Sequence, residues 1–209
     1  MIICGIDEAG RGPVLGPLVV SGVFLNIKDE SKLVKLGVRD SKRLSRKRRT
    51  SLRGEIELIA DGSIILPVWP VVIDNFVRQH QLDLLEAQIM SSIIYFLRPD
   101  KVFIDAPGNP KRFKIVLESL FPSDIDVEIV AESNADNTYP VVSAASILAK
   151  TTRDSIVENL HKRYGDFGSG YPSSPLTRTW LQDQINMGKP LPYFVRKSWK
   201  TLKKLGYRG

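Results

Sequence analysis

PLVVSGVFL, residues 17–25, limits the fold of this chain more than any other stretch. It is apolar and β-branched, and it is bounded by Gly16 and Asn26, so it reads as a strand buried on both faces. A sheet holding such a strand must be covered on both faces. Four further short apolar runs can join it: MIICGID, SIILPVW (closed by Pro67 and Pro70), KVFID ending on Asp105, and DVEIVAE. Between them lie helical patterns. Leu82, Leu85, Ile89, Ile93 and Phe96 hold a 3.6-residue stripe, which predicts a helix over 82–97. Ser45 is placed to cap a helix with Leu52, Ile56 and Ile59 on one side. Asn109 and Pro110 fit the cap and first position of another, and Pro140 opens a long one. The expected class is α/β, a mixed sheet of about five strands flanked by helices. GDFGSGYPSSP is the clearest break, which puts the main domain at 1–168 and a C-terminal helical extension at 169–209.

Charge and rare residues narrow the chemistry. Lys and Arg outnumber Asp and Glu by 30 to 23, and a surplus of +7 on 209 residues favours a polyanionic partner such as nucleic acid. With one Cys and two His there is no disulfide framework and no thiolate or imidazole metal site. No G-x-S-x-G elbow appears either. An enzyme built from this chain must therefore work through carboxylates, whose oxygens suit hard cations such as Mg²⁺ or Mn²⁺. No apolar run approaches the roughly 20 residues of a membrane helix, and the first residues run into a strand pattern with no positive n-region, so a signal peptide is not expected. The expectation is a cytoplasmic protein without a membrane partner.

The acids fall in suggestive places. Asp7 and Asp105 each end a strand abruptly, and two parallel neighbouring strands would bring those ends together. Glu8 adjoins Asp7, and Asp136 precedes the long helix. Two carboxylates 4 Å apart repel by roughly 4 kcal/mol at an effective dielectric of 20, so convergence calls for divalent cations. The plainer alternative is that such residues form turns or caps. Strand residues alternate in direction, so Asp7 and Glu8 share a site only if the strand breaks there, which Gly10 is placed to allow.

Other motifs carry weaker signals. Gly10-Arg11-Gly12 is neither a P-loop nor a dinucleotide fingerprint, yet its glycines admit an oxygen-rich ligand close to the backbone. VSAASILAK has small residues at a helix start, which suits either a phosphate or tight packing. A basic run opens at Asp40 to Lys42, and a second places Arg196, Lys200 and Lys203/Lys204 on one helical side, fit for a nucleic-acid backbone. Tyr171 sits in a Gly-Pro loop, placed to stack on a sugar or to pin the loop.

GIDEAGRGPVLGPLVV, DSKRLS, FIDAPG, ADNTYPVVSAASILAKTTRD, GSGYPS and VRKSWKTLKK together resemble, in order and across essentially the whole chain, the type 2 ribonucleases H. The C-terminal pieces are similar to the archaeal-type ribonuclease HII. The resemblance implies a ribonuclease H-like fold and two divalent ions, Mg²⁺ or Mn²⁺. It also implies cleavage of RNA in RNA/DNA hybrids and 5′ of single ribonucleotides in duplex DNA, leaving a 3′-hydroxyl and a 5′-phosphate. It assigns Asp7, Glu8, Asp105 and Asp136 as catalytic metal ligands, with Asp7 bridging. Gly10, Arg11 and Gly12 would read the ribose 2′-hydroxyl, Tyr171 would pack on the next sugar, and Lys42, Ser143, Ser146 and Lys150 would lie near backbone phosphates. Ser133, Asn134, Asn137 and Thr138 depart from the basic residues frequent around Asp136 in that family, and Ser174 from a frequent Asp. A sliding-clamp protein stands as a candidate partner and the monomer as the default state. The competing readings are another nuclease on the same fold and a non-catalytic basic nucleic-acid binder. Deleting the tail after Pro192 is expected to weaken substrate binding.

Overall fold

A computed structural model of the chain describes residues 1–38, 44–122 and 125–207. The chain divides into two compact units. The first comprises Met1–Ala9, Val19–Leu66 and Asp83–Thr152, and the second comprises Gly10–Leu18, Pro67–Leu82 and Arg153–Gly209.

The first unit is built on a sheet of five strands: β1 (Ile2–Ala9), β2 (Leu18–Asn26), β3 (Gly62–Val68), β4 (Lys101–Asp105) and β5 (Glu128–Glu132). Their order across the sheet is β3-β2-β1-β4-β5. β1 pairs antiparallel with β2 and parallel with β4, and β4 pairs parallel with β5, so the sheet is mixed. The doubly apolar run predicted both faces of β2 to be buried, and its residues are buried at nearly every position. Pro67 lies inside β3 rather than closing it, which the ladder tolerates because β3 is an edge strand.

Helices α1 (Glu30–Leu36), α2 (Arg46–Ile59), α4 (Leu82–Leu97), α5 (Pro110–Glu118) and the first half of α6 (Pro140–Tyr164) serve this sheet. Ser45 caps α2 by accepting the amide of Arg48 at 3.2 Å, and Asn109 caps α5 through the amide of Arg112 at 3.0 Å. Small residues let α6 pack closely: Val141, Val142, Ala144 and Ala145 share a core with Ile3, Val23 and Leu52. Gly5 of β1 faces the α6 backbone, where an added β-carbon would overlap the carbonyl carbon of Val141.

The second unit contains α3 (Pro70–Arg78), the rest of α6, α7 (Pro175–Asn186) and α8 (Lys200–Lys204). Its core joins Val14 and Leu15 to Val157, Phe167, Trp180, Phe194 and Leu202. Sequence patterning did not anticipate α1 or α3. Pro70, taken as a strand terminator, is the first residue of α3, where its missing N–H costs nothing. The tail proves to be core rather than appendage: Phe194 and Leu202 are fully buried. Deletion after Pro192 would thus remove packing along with charge.

Replacing Gly5 by Ala should lower unfolding free energy by about 3 kcal/mol, because backbone must shift to admit the methyl. Gly54, mid-way along α2 with open space around it, should instead gain about 0.5–1 kcal/mol as Ala. Urea denaturation of both variants checks the pair, and equal effects would contradict the packing described.

Candidate functional site

β1 and β4 run parallel and in register up to Ile6 opposite Ile104. One residue further on each strand stand Asp7 and Asp105. The third acid arrives from β5: its chain turns through a short 3-10 segment, Ala135–Asn137, whose first amide donates to Asp105 Oδ1 at 3.3 Å. That bond draws Asp136 toward the strand ends. One carboxylate oxygen each of Asp7, Asp105 and Asp136 lies within 4.8 Å of the others.

Asp7 and Asp136 are buried, at 5% and 1% exposure, and Asp105 is half-buried. Burial pushes the Asp7 carboxyl up to about 7, and the charge of Asp105 pushes the same way. A hydrogen bond from Ser146, the charge of Lys150 and the Glu8 amide oppose that rise. The Glu8 amide donates to Asp7 Oδ1 at 2.7 Å. Lys150 in turn donates to Ser146 Oγ at 2.6 Å, one helical turn away on α6. Oxygen donors alone, crowded and desolvated until one must keep a proton, fit a hard divalent cation and no soft one.

The other expected residues fall differently. β1 does not break after Asp7; it continues to Ala9, with Asp7 opposite Ser21 and Glu8 opposite Val20 on β2. Glu8 is half-buried and is not among the three clustered acids. Ser143 is fully buried, with its hydroxyl donating to the carbonyl of Val38. Lys42 lies outside the described residues. Asn134 adopts a left-handed conformation with φ +57°, which Asn tolerates better than Lys or Arg, a local reason for that departure. Ser174 caps α7 by accepting the amide of Thr177 at 3.3 Å, a role open equally to Asp.

Within the second unit, Gly10 has φ +88°, and a β-carbon there would lie 2.6 Å from Arg153 Cδ. Gly12 is exposed, and a β-carbon on it would sit 3.5 Å from the Tyr171 ring. Tyr171 is 42% exposed and stacks on the Arg153 guanidinium at 5.6 Å. Arg196 corrects the helical reading of the tail. It precedes α8, is fully buried, and donates to the carbonyls of Gly10 at 2.5 Å, Arg11 at 2.9 Å and Gly16 at 3.1 Å. Spacing alone could not show this, since a buried Arg and a solvated one look alike in a basic run. Lys197, Lys200, Lys203 and Lys204 are exposed as expected.

Comparison with known proteins gives a consistent result. The family model for ribonuclease HII matches residues 4–202. Ribonuclease HII of Thermococcus onnurineus is 44% identical over 207 residues, covering 98% of this chain and 90% of that one. The crystal structure of ribonuclease H2 from Pyrococcus horikoshii OT3 superposes with a TM-score of 0.89 at 38% identity, covering 98% of this chain and 97% of the other. The structure of the PCNA:RNase HII complex from Archaeoglobus fulgidus matches with a TM-score of 0.87 at 41% identity, covering 99% and 98%.

The raised Asp7 carboxyl makes stability depend on pH in a definite direction. Its folded value of about 7 exceeds the ordinary 3.8. Its contribution to stability is therefore greatest below the ordinary value and is lost as pH rises through about 7. In EDTA, the wild type should lose more stability than Asp7→Asn between pH 5 and pH 8, and its divalent-metal affinity should weaken as pH falls below about 7. Paired thermal melts test this; parallel pH profiles would mean Asp7 titrates normally.

Proposed function

Because the chain belongs to the ribonuclease HII family, nuclease hydrolases of the ribonuclease H type, we propose that it cuts the RNA strand of RNA/DNA hybrids. We propose further that it cuts 5′ of single ribonucleotides embedded in duplex DNA, leaving a 3′-hydroxyl and a 5′-phosphate. The observation that carries this reading is the buried cluster of Asp7, Asp105 and Asp136.

Asp7, Asp105 and Asp136 would hold two divalent cations, Mg²⁺ or Mn²⁺, with Glu8 as the fourth acid. Bound there, the cations supply Lewis acidity that activates water and stabilises charge on the scissile phosphate. The chain's own residues prepare the site. Ser146 and Lys150 support the ionised form of Asp7, which must release its proton before it can serve as a ligand. The Gly10-Arg11-Gly12 loop would test for the 2′-hydroxyl, the group that separates RNA from DNA. Tyr171, exposed beside Gly12, would pack on the adjoining sugar. Lys42 and Lys150 would meet backbone phosphates, while Ser143, committed to Val38, would act by holding α6 in place.

Residues 169–209 would extend the substrate surface. A cavity of about 760 Å³ is lined by Arg78, Lys197, Lys200, Lys203, Trp199 and Tyr207, cations and aromatics suited to a phosphate backbone. A sliding clamp is a fitting partner, since the A. fulgidus relative was solved as a PCNA:RNase HII complex. Among the described residues no helix is long and apolar enough to cross a membrane.

Cleavage of an end-labelled DNA duplex bearing one ribonucleotide, with Mg²⁺ or EDTA and beside an all-DNA control, tests the reading. A metal-dependent cut on the 5′ side with the control intact is expected. Cutting of both duplexes would indicate a general nuclease, and binding without cutting a basic binder. Asp136→Asn should cost about a thousandfold in turnover, the scale of several kcal/mol of lost charge stabilisation, with the fold retained. Replacing Lys197, Lys200 and Lys203 with Gln should flatten the dependence of log affinity on log salt by about 0.9 for each phosphate no longer neutralised. An unchanged slope in a salt titration would remove those lysines from the substrate surface.

A further inference from the structure

Three consecutive carbonyls of the 10–12 loop are occupied by donors from one short segment. Arg196 Nη2 and Nη1 donate to Gly10 and Arg11 at 2.5 and 2.9 Å, and Trp199 Nε1 donates to Gly12 at 3.0 Å. The Arg196 guanidinium lies 4.8 Å over the Trp199 ring, so the two donors brace each other. We infer that Arg196 and Trp199 are positioning residues that set the discrimination between ribose and deoxyribose by fixing the orientation of the Gly10-Arg11-Gly12 backbone. This rests on the reading of that loop as the 2′-hydroxyl selector.

Peptide geometry supplies the link. Glycine backbones rotate freely, so a Gly-Arg-Gly segment has no preferred orientation of its own. A trans peptide is planar, with its C=O and N–H opposed, and the described residues contain no cis bond. Anchoring the carbonyls of Gly10 and Arg11 on Arg196 therefore aims the next amides, those of Arg11 and Gly12, away from the guanidinium. The guanidinium is planar with donors in fixed directions, so it sets both peptide planes at once. A Lys, with one compact ammonium, cannot.

The brace is itself anchored. Asp74 of α3, 4% exposed, accepts the amides of Lys197 and Ser198 at 2.9 and 3.0 Å and the Ser198 hydroxyl at 2.5 Å. Backbone bonds then tie the two strands of chain together, from Arg196 to Val14 at 2.9 Å and from Gly16 to Phe194 at 2.8 Å. The buried guanidinium donates to the carbonyls of Gly10, Arg11 and Gly16, and an apolar side chain in its place would take that donor from all three. The selector thus consists of the loop and the segment 196–199 that aims it.

The test compares affinity for a duplex with one ribonucleotide to affinity for the same all-DNA duplex, in EDTA so that nothing is cut. Arg196→Lys and Trp199→Phe should each lower that ratio by about fivefold, the worth of one hydrogen bond. Trp199→Phe keeps the ring over Arg196 and loses only the donor, so it carries the test should Arg196→Lys fold poorly. Trp180→Phe, which removes an indole bond to Tyr164 in the same core, controls for general loosening. If Trp180→Phe lowers the ratio equally, the inference is overturned. Gly12→Ala, which puts a methyl on the exposed loop in ordinary contact with the Tyr171 ring, tests the selector role on which the brace depends. No effect of Gly12→Ala would remove the loop as selector; an effect there, with Arg196→Lys and Trp199→Phe unchanged, would leave the selector standing and make the brace merely structural.

Discussion

The desolvation of Asp7 is the constraint on which the first unit turns. A carboxylate on a central strand, 5% exposed, cannot stay ionised without compensation. The chain supplies only part of it, through the Glu8 amide, Ser146 and Lys150, and the remaining imbalance holds the group up to about 7. A metal ion held by the three acids would complete what the protein leaves undone. The close approach of α6 to β1 belongs to the same arrangement, because Gly5 lets the helix backbone near enough for Ser146 to reach Asp7.

The second unit rests on a different balance. There a buried cation, Arg196, donates to backbone carbonyls of the 10–16 segment. Phe167, Trp180 and Phe194, with ring centroids 5.5 to 5.8 Å apart, pack together in the apolar core of this unit. The basic tail serves two purposes. Arg196 turns inward to order a loop, whereas Lys197, Lys200 and Lys203 stay in water.

Periodicity and capping were legible along the chain. The run at 17–25, the stripe at 82–97, Ser45 and Asn109 all produced the elements they predict, because strand alternation, helical faces and caps are local properties. α3 was missed for an equally local reason: Pro70 both ends strands and begins helices, and only its context selects. Three of the four acids were legible as a cluster because parallel neighbouring strands carry Asp7 and Asp105 side by side and Asp136 lies just before α6. The continuation of β1 through Glu8 was not, since backbone pairing with β2 overrides the freedom that Gly10 offers.

By itself the sequence determined the class of the fold and pointed to oxygen-only chemistry and a polyanionic partner, because residue types, spacing and charge need no third dimension. Tertiary structure alone decided which charges are spent inward. Arg196 and Lys200 stand four residues apart in one basic run, yet one is fully buried among carbonyls and the other is solvated. Ser143 and Ser146 stand three apart on one helix, yet one bonds a backbone carbonyl and the other an ionisable acid. A side chain's partner is set by what distant segments bring to it, and the free energy of burial is large enough to overrule any local preference.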